Sequence, residues 1–433
     1  MIRFLSGITG IEKDKLVPAC FAALYIFCVL GGYYVVQPLR DDIGLLLGKD
    51  FLPKLFFGTL IVMIVANPLF SYMMNRFSRI NFIRYLYRFF SLNILGFIAI
   101  FKYLESTGQM AGGSGEATVL VGIGFVVGVA FFLWASVFSL FAVSVFWALL
   151  ADLYNSSESK KIFGFVGAGG TFGQMIGSTL TKTLVAHLGP TNLLFITIVM
   201  LEVALFAMTR MTKTYQEPVR SESEKKPNAL SGVKDILKSK FLLGICLYLF
   251  LYTFTSSFLW FQKQNIVAET IVDRATRVDF FSTINLIVST ATLIIQIFLT
   301  GRLLPIIGIA AGLSLVPIVT TVGFAVLSFQ PGLYVLAAVE ICRKTANFGI
   351  SRPSREILFT VVSRQEKYLS KSFIDTFVYR AGDAIASGVF QWITTITTNF
   401  QTISMLAVPI AFLYLVVGVF LGKAHAKKAA KLE

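Results

Sequence analysis

Residues 333–350 read LYVLAAVEICRKTANFGI and place three charges in a stretch that otherwise has the apolar character of a membrane helix. These charges are Glu340, Arg343 and Lys344. A single uncompensated charge at the centre of a bilayer costs about 2.5–3.5 kcal/mol on insertion scales. The three side chains are therefore expected to face partners, a water-filled cavity or a charged cargo, which is typical of a membrane transporter.

The composition of the whole chain indicates the same class of protein. Of its 433 residues, 56% are hydrophobic and only 14% are charged, and the mean hydropathy is +0.75. Soluble domains carry about 25% charged residues, so a polytopic membrane protein is expected. The net charge of +15 lies mostly in loops, and no segment is long enough for a soluble basic domain. Nucleic acid is therefore not expected as a partner.

Apolar runs long enough to cross a bilayer recur along the chain, six on each side of a charged connector. They occupy residues 17–38, 55–75, 80–104, 118–150, 161–186, 190–210, 241–262, 278–300, 304–329, 332–361, 371–398 and 402–422. We predict an all-α polytopic membrane protein with twelve transmembrane helices in two pseudo-symmetric six-helix bundles. The predicted domains are an N-terminus (1–16), a first bundle (17–210), a linker (211–240), a second bundle (241–422) and a tail (423–433).

The distribution of lysine and arginine among the loops predicts that both termini are cytoplasmic. With the N-terminus inside, most basic loop residues fall on the cytoplasmic side, as the positive-inside rule requires. Five basic residues are assigned to the opposite loops and break the pattern: Lys49, Lys54, Lys263, Arg274 and Arg277.

Short polar connectors recur at matching places in the two halves. Residues 155–161 and 363–367 each place a glutamate and then a lysine between the fourth and fifth helices of a half. Residues 75–79 and 301–308 resemble, in degenerate form, the Gly- and Arg-containing cytoplasmic loop of the major facilitator superfamily. Such internal repeats are the usual build of secondary transporters.

Four longer segments sharpen this resemblance. They are residues 33–44 (YYVVQPLRDDIG), 87–93 (YRFFSLN), 145–152 with 163–170 (VFWALLAD, FGFVGAGG), and 352–362 with 371–383 (RPSREILFTVV, KSFIDTFVYRAGD). Together they resemble bacterial major facilitator proteins grouped with the ATP:ADP antiporter (nucleotide translocase) family, over nearly the whole chain. The resemblance implies a twelve-helix fold in the bacterial inner membrane and exchange of an organic anion such as a nucleotide. Of that family's substrate-binding residues, only the region of Arg40 can be matched here.

Five basic residues are the candidates for binding an anionic substrate: Arg343, Lys344, Arg380, Arg88 and Arg40. At a helical rise of 1.5 Å per residue, Arg343 and Lys344 lie near the bilayer midplane, and guanidinium groups suit phosphate and carboxylate. A structural salt bridge remains the alternative for Arg343, Lys344 and Arg380, and a position outside the cavity remains open for Arg88. For Arg40, at the outer end of the first span, a solvated helix end is the simpler interpretation and a gate is the alternative.

Seven further charged residues are candidates for proton coupling or gating: Asp383, Asp375, Glu340, Arg352, Arg355, Glu356 and Asp152. Spacings of three or four residues allow ion pairs within a helix, as between Glu340 and Lys344 or between Arg380 and Asp383, which lie three apart on one face. Salt bridges between spans ten and eleven near the cytoplasmic surface are the simpler interpretation for Arg352, Glu356 and Asp375.

Six glycines between Gly164 and Gly177 favour close helix packing over a phosphate loop, because they follow no strand. We assign them to the surface along which the two bundles move.

The predicted function is secondary active transport of a small organic anion by alternating access, with ATP/ADP-type exchange as the case that the resemblance implies. A proton-coupled symporter or exporter of another small solute is the alternative, and a receptor or lipid-handling scaffold is a third class. No nucleophile, base and orienting group occur together, so no enzyme is predicted. No cofactor or metal is expected, and the predicted state is a monomer surrounded by membrane lipids.

Overall fold

The computed structural model describes residues 13–109, 120, 122–153, 156–214, 239–296, 298, 301–362 and 374–430. Within these residues every regular element is helical. The helices are α1 (Lys13–Leu46), α2 (Leu52–Arg76), α3 (Arg79–Ser106), α4 (Gly122–Leu153), α5 (Ser156–Asn192), α6 (Leu194–Thr214), α7 (Lys240–Thr270), α8 (Arg274–Ile295), α9 (Gly301–Phe329), α10 (Leu333–Ala346), α11 (Arg352–Ile357), α12 (Tyr379–Ile396) and α13 (Phe400–Ala429).

Within the described residues, the twelve predicted spans are confirmed as helical segments. The tenth is divided into α10, the π-helical turn Asn347–Ser351 and the short α11, and a second π-helical turn, Ile374–Val378, leads into α12. In the described part of the chain, nine helices are long and apolar enough to cross a membrane, judged by length and composition alone. The fifth, tenth and eleventh spans are shorter or more polar, since they are rich in glycine, hydroxyl and charged residues.

Two glycines bend helical segments. Gly189 in α5 and Gly308 in α9 have φ angles of 73° and 76°, in the left-handed region that favours glycine. Each marks a change of direction within an otherwise continuous segment. Pro190 follows Gly189, and its fixed φ suits the first position of a new helical turn.

Two compact units make up the chain. Unit 1 contains Met1–Lys49, Ile61–Glu222 and Ile271–Thr290, and unit 2 contains Asp50–Leu60, Ser223–Thr270 and Ala291–Glu433. Each unit takes most of its helices from one half of the sequence and one shorter segment from the other half. The predicted linker falls largely in residues 215–238, outside the described residues, and the predicted domain boundaries stay predictions.

In unit 1, α1 packs against α5 through glycines spaced four residues apart. A Cβ atom on Gly173 would collide with the carbonyl oxygen of Phe27, and one on Gly177 with that of Gly31. The two backbones therefore touch, as small residues allow between membrane helices. The predicted packing role is confirmed for these glycines. Because their contact lies inside unit 1, however, the assignment to a surface along which the bundles move is wrong for them.

Aromatic side chains form a further part of the core of unit 1. The Tyr25 hydroxyl donates to the Tyr87 hydroxyl at 2.9 Å, and the Tyr87 hydroxyl donates to the carbonyl oxygen of Ala142 at 2.9 Å. On α4, Trp134 stacks on Phe138 with their ring centroids 5.2 Å apart. These contacts tie α1, α3 and α4 together.

In unit 2, α7, α9 and α13 pack around Tyr248. Its hydroxyl donates to the carbonyl oxygen of Leu313 at 2.7 Å, and its ring centroid lies 4.8 Å from that of Tyr414. Gly422 of α13 sits directly against Ala310 of α9. This packing fixes α7, the helix on which the candidate site is built.

Candidate functional site

A charged cluster joins α7 to α10 inside unit 2. Helix α7 continues to Thr270, beyond the predicted end of its span at residue 262, and so places Lys263 inside the helix. The Lys263 side chain is 4% exposed and its ammonium lies 3.1 Å from Oε1 of Glu340, and the Lys344 ammonium lies 2.7 Å from the same oxygen. The predicted pair of Glu340 and Lys344 is confirmed. The assignment of Lys263 to an outer loop is wrong, because the Glu340 carboxylate allows this lysine to be buried.

Arg343 lies one turn along α10 from Glu340 and is only 5% exposed. Its Nη2 donates to the hydroxyl of Ser256, and its guanidinium lies over the Tyr252 ring, 5.4 Å from the centroid. Its Nε and Nη1 are buried and have no hydrogen-bond partner within the described part of the chain. Because an unsatisfied buried donor is costly, these nitrogens favour a further acceptor, such as an oxygen of a bound anion.

The cluster carries an excess of positive charge. Within the described residues, the cluster contains three cations, Lys263, Arg343 and Lys344, and one carboxylate, that of Glu340. One oxygen of that carboxylate, Oε2, is buried without a hydrogen-bond partner among the described residues. Burial of an unpaired charge is unfavourable, so an anionic ligand beside Arg343 would lower the free energy of the cluster.

A second ion pair reaches the same turn of α7 from α12. Nη1 of Arg380 lies 3.3 Å from Oδ2 of Asp383, three residues later in the helix. The Ser257 hydroxyl donates to Oδ1 of Asp383 at 2.6 Å. The predicted contact between Arg380 and Asp383 is confirmed. Since Ser256 and Ser257 are neighbours, α7 holds Arg343 through one serine and Asp383 through the next.

The remaining candidates of spans ten and eleven lie on or near α11 and α12. The half-buried Arg355 donates through Nη1 to the Tyr379 hydroxyl, and its guanidinium lies 5.8 Å from the centre of that ring. Arg352 and Glu356 are exposed. The side chains of Asp375 and Asp152 lie outside the described part of the structure, so the gating roles of these two residues stay predictions.

The acidic end of α1 forms a buried ion-pair network with α8 inside unit 1. Asp42 has no exposed surface, and its two carboxylate oxygens lie 3.0 Å from Nε of Arg274 and 2.7 Å from Nε of Arg277. Asp41 is also buried. The solvated helix end expected at Arg40 is therefore wrong for the two aspartates beside it, because both are buried and arginines more than 230 residues away in sequence compensate Asp42. Arg277 belongs to this network and not to a solvated loop.

Further contacts fix the start of α8. Arg274 also lies 3.5 Å from Oε1 of Glu105, an oxygen that accepts a hydrogen bond from the Thr191 hydroxyl at 2.6 Å. Just before the helix, Asp273 accepts hydrogen bonds from the hydroxyl and the backbone N–H of Thr276. These bonds hold the pKa of the Asp273 carboxyl below its usual value, since they stabilise the charged form.

Arg40 and Arg88 differ in their surroundings. The Arg40 guanidinium lies over the Phe132 ring at 4.5 Å from the centroid, and its Nε lies 3.7 Å from Oδ1 of Asp41. Arg40 is thus part of the packed end of α1. Arg88 is exposed, although its neighbour Tyr87 is fully buried. Its proposed contact with substrate stays a prediction.

Three residues of this site are not among the predicted candidates, although the sequence contains a signal for them. Tyr252, Ser256 and Lys263 follow one another at spacings of four and seven residues, which places them on one face of a helix. That face meets α10. In the described ranges, no group of three or more His, Cys, Asp or Glu side chains has a geometry that would hold a metal ion.

Comparisons with known proteins concern the whole fold. Residues 118–354 match the model of the Major Facilitator Superfamily, and no curated protein sequence matches the chain. The crystal structure of a bacterial homologue of the iron transporter ferroportin, in an inward-facing state, is similar with a TM-score of 0.68 at 13% identity, over 94% of this chain and 99% of that one.

Two further solved structures have the same architecture. A bacterial metal transporter has a TM-score of 0.63 at 13% identity, over 93% of this chain and 98% of its own. The xylose transporter XylE from E. coli, in an inward-open conformation, has a TM-score of 0.56 at 14% identity, over 95% of each chain. At these identities the similarity concerns the fold alone.

Proposed function

Because the chain belongs to the Major Facilitator Superfamily, we propose that it is a secondary transporter that carries a small organic anion across the bacterial inner membrane by alternating access. Alternating access in such folds moves two helix bundles around a central site. Arg343 is the proposed principal contact of the anion, with Lys344 and Arg380 as neighbouring cations. The coupling and gating roles predicted for the acidic residues belong to this proposal.

One observation carries the proposal: Arg343 is buried with two nitrogen donors unused. An arginine that served only to hold helices together would have a carboxylate partner, because a buried cation without one is destabilising. Glu340 is already engaged by Lys263 and Lys344. The two unused nitrogen donors of Arg343 therefore suit a ligand that binds reversibly, as a substrate does.

The same electrostatics supports exchange. When the cavity closes without cargo, the guanidinium of Arg343 loses water and gains no anion, so closure is unfavourable. A bound carboxylate or phosphate removes this penalty and permits the bundles to move. Such a transporter changes between its two conformations more readily with an anion bound than with an empty site. It therefore exchanges one anion for another.

The test is counterflow by the purified protein in liposomes loaded with ADP, ATP, a sugar phosphate or a dicarboxylate. Loss of a charge-assisted hydrogen bond costs about 1.5–3 kcal/mol, so we expect Arg343→Ala to reduce counterflow of the transported anion roughly 10- to 100-fold. Arg210→Ala, which removes an exposed arginine on α6, is the matched control and should transport normally. Equal transport by Arg343→Ala and the wild type would contradict the proposal.

A proton-coupled carrier is the second candidate, and it rests on Glu340 and Asp383. Both carboxylates contact side chains that can rotate away without unfolding a helix, Lys263 and Lys344 for Glu340 and Arg380 and Ser257 for Asp383. Uptake driven by a pH gradient with no anion inside the liposomes would favour this candidate over exchange.

The solved structures named above suggest which other substrates should be tested against the proposed anion. One is described as a homologue of an iron transporter, one as a metal transporter and one as a xylose transporter. In this chain the uncompensated positive charge around Arg343 would repel a divalent cation. Transport of a divalent metal or of xylose, with no response to any anion, would exclude the proposed substrate class.

A further inference from the structure

A groove of about 520 Å³ lies in unit 2, between the first turn of α7 and the last turns of α13. We call it the α7/α13 groove. Three lysines line it, Lys240 on α7 and Lys427 and Lys428 on α13. Both helices are apolar and long enough to span a membrane, and the lysines stand at their ends. The groove therefore lies at the level where the apolar part of each span gives way to charged residues.

Among the described residues, the lysines of the groove have no carboxylate partner. Within the described residues, no ion pair involves Lys240, Lys427 or Lys428, and no acidic residue lines the groove. The Lys428 ammonium lies 4.9 Å from the centroid of the Phe241 ring, which is an attractive contact but leaves the charge uncompensated. Three clustered cations at a membrane surface attract an anion.

The walls of the groove are apolar. Phe241 and Leu421 are buried, and Phe420 is 68% exposed. A soluble anion would leave this apolar surface in contact with water, whereas an amphipathic anion covers it with hydrocarbon. The lysines at the helix ends and the apolar wall beside them match the two parts of a phospholipid.

We propose that the α7/α13 groove binds one anionic phospholipid, with the phosphate at the three lysines and an acyl chain along Phe420 and Leu421. This site is separate from the Arg343 cluster and does not depend on the identity of the transported solute. The lipid would hold the start of α7 to the end of α13, the two helices between which the groove lies.

Native mass spectrometry of the purified protein, titrated with phosphatidylglycerol and with phosphatidylcholine, tests the site. The wild type should retain one phosphatidylglycerol in preference to phosphatidylcholine. Each lysine near a membrane surface contributes about 1 kcal/mol, or about fivefold, so the triple variant Lys240→Gln, Lys427→Gln, Lys428→Gln should lose the preference about 100-fold. Lys423→Gln removes an exposed charge from the same helix outside the groove and should retain the lipid.

A steric pair of variants tests the groove without changing charge. Ala424 lines the groove and is exposed, whereas Ala426 is exposed on the same helix outside it. Ala424→Trp should abolish retention of phosphatidylglycerol, and Ala426→Trp should leave it unchanged. If Lys423→Gln weakens retention as much as Lys240→Gln, Lys427→Gln or Lys428→Gln made singly, the attraction is general to the surface, and displacement by glycerol phosphate would show a soluble anion site. Either result would overturn the proposal.

Discussion

At the scale of single residues, an ion pair can be predicted from the sequence when its two charged residues are close together in the chain. The contacts of Glu340 with Lys344 and of Arg380 with Asp383 follow from helical spacing alone, and both were predicted. The partners of Asp42 and of Lys263 could not be predicted, because they come from other helices and no local pattern encodes them. The exposed or buried state of a charge therefore follows from tertiary packing more than from its position in a span.

Glu340 should be the most sensitive member of its cluster. Glu340→Gln removes the carboxylate that the buried Lys263 and the half-buried Lys344 both contact, and removal of one partner of a buried pair costs about 3–5 kcal/mol. Lys263→Met leaves Glu340 with Lys344, so its loss of stability should be smaller. Thermal unfolding in detergent should rank the wild type above Lys263→Met and Lys263→Met above Glu340→Gln.

The double variant Lys263→Met, Glu340→Gln provides the check on this charge argument. It removes one cation together with the carboxylate and should unfold at a higher temperature than Glu340→Gln alone. A double variant less stable than both single variants would indicate that packing, and not charge, determines the order.

At the scale of elements, the spans were predictable and their interruptions were not. Twelve apolar runs indicate twelve helical segments, since length and hydropathy are local properties. The end of α7 at Thr270 and the π-helical turn Asn347–Ser351 depend on buried polar contacts that hydropathy does not register. In that turn, the Ser351 hydroxyl donates to the carbonyl oxygen of Gly312 at 2.7 Å, which shows how a neighbouring helix stabilises an irregular backbone.

The close contact between α1 and α5 leads us to predict different effects on thermal stability for two glycine substitutions in α5. Gly173→Ala places a methyl group against the carbonyl of Phe27, and such overpacking costs about 1–3 kcal/mol. Gly167→Ala on the same helix meets open space and should be neutral or more stable by up to about 1 kcal/mol, because alanine favours the helix. Thermal unfolding of both variants compares the two effects, and similar melting temperatures would mean that α1 and α5 separate at little cost.

At the scale of the whole molecule, membership of the Major Facilitator Superfamily and the helical architecture agree with the sequence-based prediction. The sidedness of the chain is a prediction from the positive-inside rule. Of the five residues that opposed the rule, Lys263 and Arg277 are buried in ion pairs. They are therefore not free loop charges, and the remaining asymmetry of the loops is stronger than the sequence alone suggested.

This sidedness is testable with fusions to the C-terminus. A fluorescent protein joined there should fluoresce in bacterial cells, since it folds in the cytoplasm, and alkaline phosphatase at the same place should be inactive. The loop after α3 should give the opposite pair of results. Active phosphatase at the C-terminus would reverse the orientation.

The residues of the ion-pair network at the end of α1 are not equally important to it. Asp42 is shared by Arg274 and Arg277, and Arg274 has Glu105 as a second acceptor. If either arginine changes, the carboxylate keeps one partner, but if Asp42 changes, Arg277 loses its ion-pair partner in the network. Over evolutionary time either arginine can therefore vary while the other is kept, whereas Asp42 can be exchanged only together with compensating changes on α8.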